Sequence, residues 1–170
     1  MYTGPYIQLI ENIKAILQTE PSKRTGLPLT SAYGDFTYFT KRLTNWDELL
    51  NNLPAITIDL DGGGFDYIYE DQGAFRLIPV VIVLYMPLYT YGKTADESAT
   101  IEVAVDEEIK LRFADLEEIM NENRAAHGTA YELLMVEGGG IFYEAFDFGE
   151  PINMQLRLAQ LNLVARQRIQ

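Results

Sequence analysis

The sequence contains no cysteine. That excludes a disulfide framework, a thiolate nucleophile and any cysteine-ligated metal site. It has one histidine, His127, and only Ser22, Ser31 and Ser98 as serines, so a Ser-His-acid triad would draw all its base chemistry from one imidazole. Bases are scarce: Lys plus Arg is 13 against 25 Asp plus Glu, a formal net charge of −12. So acidic a chain repels the phosphate backbone of nucleic acid unless a local basic patch overrides the field. The longest apolar run, Leu77 to Leu88, is too short to span a bilayer and is interrupted by Pro79 and Pro87. Met1-Tyr2-Thr3-Gly4-Pro5 carries no basic region ahead of an apolar stretch, so no signal peptide is expected. The expectation is a soluble protein made in the cytoplasm.

What is there suits one domain with a real core. The 170 residues are 48% hydrophobic, enough for a single unit over 1–170 and too few for two. The charge is uneven. Residues 95–122 hold ten acids against Lys110 and Arg112, a local net of −8. Residues 152–170 hold Arg157, Arg166 and Arg168 and no acid.

Hydrophobic spacing supplies the elements. Pro5 can open a helix, and Ile7, Ile10, Ile13, Ile16 and Leu17 recur at helical intervals up to Pro21. Residues 19–44 read as an arm, with Pro21, Gly26, Pro28 and Gly34 among Lys23, Arg24, Tyr38, Lys41 and Arg42. A loop of that length within a domain is usually functional. Thr44 or Asn45 can cap a helical turn ending before Pro54. Ala55 to Leu60 and Phe65 to Tyr69 read as strands of one hairpin across Gly62-Gly63-Gly64, and Ala74 to Tyr85 as a buried strand. From Thr94 the period lengthens: Ile101, Val105, Ile109, Phe113, Leu116 and Met120 form one face of a long helix. Its acids are then expected to face solvent, a neighbouring subunit or a lumen, with Glu107, Glu108, Glu117 and Glu118 at surface positions. Three closing strands are expected over 131–136, 141–148 and 152–164, with Gly138-Gly139-Gly140 as a turn and a bulge near Ala159-Gln160. The order predicts an α+β fold: a mainly antiparallel sheet with an N-terminal helix and one long central helix packed on one face.

Three constellations invite a chemical reading. Asp59, Asp61 and Glu70 fall at positions one, three and twelve of a calcium loop, but Gly63 stands at position five and strands flank it where helices are needed. A hairpin is the better reading, and no metal is expected. Gly138-Gly139-Gly140 lacks the following Lys-Ser or Lys-Thr of a phosphate loop. His127, beside Gly128 just past the helix, suits a capping role. Tyrosines number eleven and favour protein contacts. No catalytic group or cofactor site is expected.

The helix at the N-terminus, Trp46-Asp47 and Leu53-Pro54 leading into Ala55-Ile56-Thr57-Ile58-Asp59, the long apolar strand from Arg76 to Tyr85, the single long helix and the closing strands together resemble the tail terminator proteins of tailed bacteriophages. The resemblance implies a non-enzymatic virion protein of the tail–neck region. It implies a homo-oligomeric ring, typically of six, that caps the tail tube, stops its elongation and docks the head-side connector while DNA passes without specific binding. Lys23, Arg24, Tyr38, Lys41, Arg42, Arg157, Arg166 and Arg168 are the candidate interface residues. Another neck or connector protein is the nearest alternative. From other classes come a small metal-dependent hydrolase using carboxylates, and a binding module with Tyr67, Tyr69 and Tyr85 lining a cleft.

Overall fold

Two strands of sixteen residues each, β4 (Gly73–Leu88) and β6 (Met154–Ile169), lie side by side at the centre of the sheet. They pair in one unbroken antiparallel register from Ala74↔Ile169 to Leu88↔Gln155. The computed structural model describes residues 4–41, 43–61, 66–70, 73–125, 131–150 and 153–169. Among them the order is α1 (Pro5–Thr19), β1 (Thr37–Phe39), α2 (Trp46–Leu50), β2 (Ala55–Leu60), β3 (Asp66–Glu70), β4, α3 (Ala95–Glu122), β5 (Tyr131–Phe148) and β6. The sheet runs β1-β2-β4-β6-β5, with β3 also on β4; only the β1–β2 pair is parallel. The fold is α+β, mainly antiparallel, with α1 and α3 on one face.

The two-residue period of the strands decides what each face does. On β4, Ile78, Val80, Ile82, Leu84 and Met86 are buried, and on β6 Ala159, Leu161, Leu163 and Ala165. These inner-face side chains pack against Leu9, Ile13 and Ile16 of α1 and Val105, Ile109, Leu116 and Ile119 of α3. Each buried Leu or Ile contributes roughly 1.5–3 kcal/mol by leaving water. The helical stripe read from Ile101 to Met120 is this contact. Helix α3 begins at a capping box, Thr94 Oγ1 accepting from Glu97 N at 3.2 Å while Glu97 Oε2 accepts from Thr94 N at 3.0 Å. Asn45 caps α2 through Asp47 N. On the outer face only a small cluster forms, where Leu49 of α2 meets Ala55, Met154 and Leu156.

Three expectations are corrected. Strand β3 does not pair with β2. Both lie on β4, β2 along Val80–Tyr85 and β3 along Gly73–Leu77. A sixteen-residue strand is long enough to take two short partners in line, and Asp61 N still donates to Pro79 O at 2.9 Å between them. The glycines 62–64 lie outside the described residues, as do Arg42 and His127.

The closing strands number two rather than three, because Gly138-Gly139-Gly140 stays within β5. A Cβ on Gly139 would lie 2.4 Å from the Gln160 carbonyl oxygen, so the glycine permits close backbone approach rather than reversal. The irregularity sits in β5 and not in β6: registers shift between Val136 and Gly140 and between Phe142 and Phe146, while β6 stays regular. The apparent phase switch in β6 reflects its surroundings. Met154 and Leu156 face the outer cluster, whereas Ala159, Leu161 and Leu163 face the helices.

Candidate interaction surface

The described bases of the arm, Lys23, Arg24 and Lys41, meet acids of their own chain. Residues 20–36 lie along α3, with Arg24 Nε 2.9 Å from Asp115 Oδ1 and Nη2 2.5 Å from Oδ2. Lys23 places its backbone N 3.1 Å from Glu118 Oε2 and its Nζ 2.7 Å from Glu122 Oε1. Ala32 N donates to Glu108 Oε1 at 2.8 Å, and Arg112 bridges Glu108 and Asp115 at 3.0 and 3.1 Å. The hydrogen bond to Asp115 raises the Arg24 pKa, and that to Glu122 raises the Lys23 pKa. This corrects the expectation that the acids of α3 face solvent, a neighbouring subunit or a lumen, and that Glu108 is a surface position. Glu108 and Asp115 are buried, a position open to a carboxylate only when cations and N–H donors surround it.

The remaining interface candidates do not form one patch. Lys41 pairs with Glu48 at 2.9 Å on the surface. Tyr38, on β1, donates weakly to Leu17 O at 3.5 Å, and burial pushes its pKa up to about 12. Arg157 is 2% exposed and holds Asp106 Oδ1 at 3.1 Å and Gln155 Oε1 at 3.1 Å, so it ties β6 to α3 inside the molecule. Arg166 and Arg168 stand together at the C-terminal end of β6, where Arg166 holds Glu70 at 3.1 Å and lies 3.9 Å over the Phe75 ring.

What the sequence reading missed is the outer face of the sheet. Above Val83, Tyr85 and Leu158, neither α1 nor α3 covers it among the described residues. Instead Trp46, Phe142 and Phe146 border a shallow groove of about 690 Å³. Trp46 packs on Phe146 and Phe148 with ring centroids 4.9 and 5.6 Å apart. Trp46, Phe142 and Phe146 are nevertheless 44%, 42% and 39% exposed. Aromatics in contact with each other and with water have the character of an interface awaiting a partner. The signal was present as Phe142, Phe146 and Phe148 at even spacing, which puts them on one face of a strand.

Beside the groove runs the outer edge of β5. Among the described residues it pairs with β6 alone, and at its start Leu133 N donates to Arg124 O at 2.8 Å. It is eighteen residues long and has no Lys, Arg or Pro, but Glu132, Glu137 and Asp147 along it and its two irregular stretches are features that blunt a sheet edge.

No chemical constellation assembles among the described residues. No group of three or more His, Cys, Asp or Glu is placed to hold a metal. Asp59 turns one oxygen to the Leu60 N–H at 2.8 Å, and Glu70 is engaged by Arg166. Tyr67 and Tyr69 stand opposite Arg76 and Ala74, whereas Tyr85 stands opposite Ala55. With about 3.4 Å per strand residue they lie near opposite ends of β4 and share no cleft. No described helix is long and apolar enough to cross a membrane.

No protein-family model matches the sequence, and no curated protein matches it. Among solved structures, a chain described as "Virion of native gene transfer agent (GTA) particle" superimposes with a TM-score of 0.39 at 13% identity. The alignment covers 98% of this chain and 100% of that one. A score of that size lies below the level at which a common fold follows.

Proposed function

We propose that this chain is a non-enzymatic structural protein of a tailed-phage-like particle. In this reading it is a tail terminator, made in the host cytoplasm and built into the tail–neck region of the virion. It closes into a ring of six, caps the tail tube, stops its elongation and offers a docking face to the head-side connector.

The observation that carries the proposal is the outer sheet face. An aromatic groove around Trp46, Phe142 and Phe146 lies on that face, beside the outer edge of the long strand β5. A chain that leaves such a surface in water loses the roughly 25 cal/mol per Å² that covering it would give, so function by assembly accounts for it economically. The element order on which the sequence resemblance rests is present in the fold. The net charge of −12 suits a wall along which DNA slides without sticking.

Light scattering across a concentration series, alone and with tail tube, tests the proposal. A ring or a monomer–ring equilibrium is expected. A chain that stays monomeric under both conditions would sink it.

A further inference from the structure

The outer face of the sheet has two unlike ends. At one end Trp46, Tyr85, Phe142, Phe146 and Leu158 surround the aromatic groove. At the other, Lys41, Thr57, Asp59, Asp61 and Val81 line a second cleft of about 370 Å³. Val83 and Tyr85 belong to both, so the two form one continuous surface. The strand registers fix its layout. Tyr85, Leu158 and Phe142 stand abreast on β4, β6 and β5. Four residues back along β4, Asp59, Val81, Asn162 and Val136 stand abreast on β2, β4, β6 and β5. At about 3.4 Å per residue the two rows lie roughly 14 Å apart.

Charge separates the rows. Asp59 Oδ1 accepts from the Leu60 N–H at 2.8 Å, and neither Asp59 nor Asp61 meets a cation among the described residues. Lys41, the cation beside them, is already held by Glu48 at 2.9 Å. Glu137, exposed on β5 next to Val136, likewise has no cation among the described residues. Elsewhere the chain answers its acids: Glu70, Asp115 and Glu122 each hold a base. On the outer face the carboxylates stand unanswered beside apolar surface.

A groove of this kind selects its occupant by charge as well as by shape. We infer that the outer face takes a basic segment of a neighbouring particle protein. A large apolar side chain of that segment seats between Trp46 and Phe142, and a Lys or Arg about 14 Å further along reaches Asp59 and Asp61. That spacing is about four residues of extended chain or about nine of helix. The inference rests on the reading of this face as the assembling surface and names the chemistry of what it receives. A second copy suits it badly. Its exposed turn of Tyr89, Tyr91 and Lys93 leads directly to Asp96 and Glu97, which would bring like charge to like.

The test measures binding of the full chain to tail tubes and, separately, to head-side connectors, by co-sedimentation across a salt series. Asp59→Asn with Asp61→Asn removes two charges and leaves the Leu60 N–H an acceptor. Glu107→Gln with Glu117→Gln removes two from α3, on the opposite face of the sheet. Unchanged melting curves show that both fold. Wild type is expected to bind one of the two partners, and more weakly as salt rises. The Asp59/Asp61 variant should bind about tenfold less tightly at low salt and lose most of the salt dependence, whereas the Glu107/Glu117 variant should match wild type. Wild-type binding that salt leaves unchanged overturns the inference without any variant. Equal binding by all three proteins, lost only in Trp46→Ser with Phe146→Ser, overturns the basic partner and leaves the outer face as the assembling surface. Equal weakening by both acid pairs also overturns it, because the effect then belongs to net charge. Self-association of the chain alone that the Trp46/Phe146 change abolishes gives the face to a second copy and overturns it too. A wild-type chain that binds neither partner overturns the inference together with the reading beneath it.

Discussion

Arg24 grips Asp115 through Nε and Nη2 of its guanidinium, 2.9 and 2.5 Å from the two carboxylate oxygens, across 91 residues of chain. This one pair fastens the loop ahead of β1 to the long helix. The loop has little regular structure of its own, so its position depends on this pair, on Lys23 with Glu122 and on Glu108 beneath Ala32. Two bases of the arm, Lys23 and Arg24, thus pair with acids of the helix far away in sequence, which lowers its local charge without cancelling it.

Asp115→Ala should therefore be costly. It leaves Arg24 and the largely buried Arg112 without their shared carboxylate. The expected loss is about 3 kcal/mol in chemical denaturation, or roughly 6–12 °C in melting temperature for a chain of this size. Glu107→Gln, at an exposed position on the same helix, should stay within about 0.5 kcal/mol of wild type. Equal effects at the two positions would mean that the loop is not held through Asp115.

Neighbouring glycines should behave oppositely. A Cβ at Gly139 meets the Gln160 carbonyl oxygen at 2.4 Å, and backbone cannot swing aside, whereas a Cβ at Gly140 meets nothing within 4 Å. Gly139→Ala should cost about 2 kcal/mol. Gly140→Ala should be neutral or stabilising by up to about 1 kcal/mol through the unfolded chain. Urea titration of the two variants separates a glycine needed for close approach from one that is not.

Alkaline pH should loosen the edge of the sheet at β1. Burial raises the Tyr38 pKa from 10.0 to about 12 and raises that of Tyr85 as well, there opposed by Thr57. The unfolded chain gives up these protons first. The stabilisation is therefore complete below pH 10 and falls away as pH rises from 10 toward 12, on the order of 3 kcal/mol for Tyr38. Denaturation midpoints at pH 9 and 11 should differ less in Tyr38→Phe than in wild type. An identical decline in both proteins would remove Tyr38 as a cause.

Much of the fold was legible because periodicity records burial. The stripe from Ile101 to Met120, the run before Pro21 and the strand at Ala55 each show in sequence which side leaves water. Strand partners were not legible. Nothing local tells β3 to pair with β4 instead of β2, since the choice depends on how far β4 extends. Glycines were ambiguous for a related reason: Gly138 to Gly140 supply a turn when nothing lies opposite and a close approach when Gln160 does. The buried carboxylates escaped because acids on a helix read as solvated until a remote base is known to reach them. The outer aromatic face escaped because Trp46 precedes its partners Phe146 and Phe148 by about a hundred residues.

Duplex DNA should not be retained at physiological salt. Six of the described bases, Lys23, Arg24, Lys41, Arg112, Arg157 and Arg166, are engaged by acids of the same chain, and the chain as a whole carries −12. Non-specific binding needs several cations free to displace counterions. A gel shift at that salt would contradict the idea of an acidic wall.

The central claim, that this chain caps a tube as a ring, is tested most directly by electron microscopy of tail tubes mixed with the purified protein. A single closed ring at one end of each tube and an arrest of tube growth are expected. Replacing Trp46 and Phe146 together with serine should remove that density if the outer sheet face is the assembling surface. Bare tube ends that continue to elongate in the presence of folded wild-type protein would contradict it.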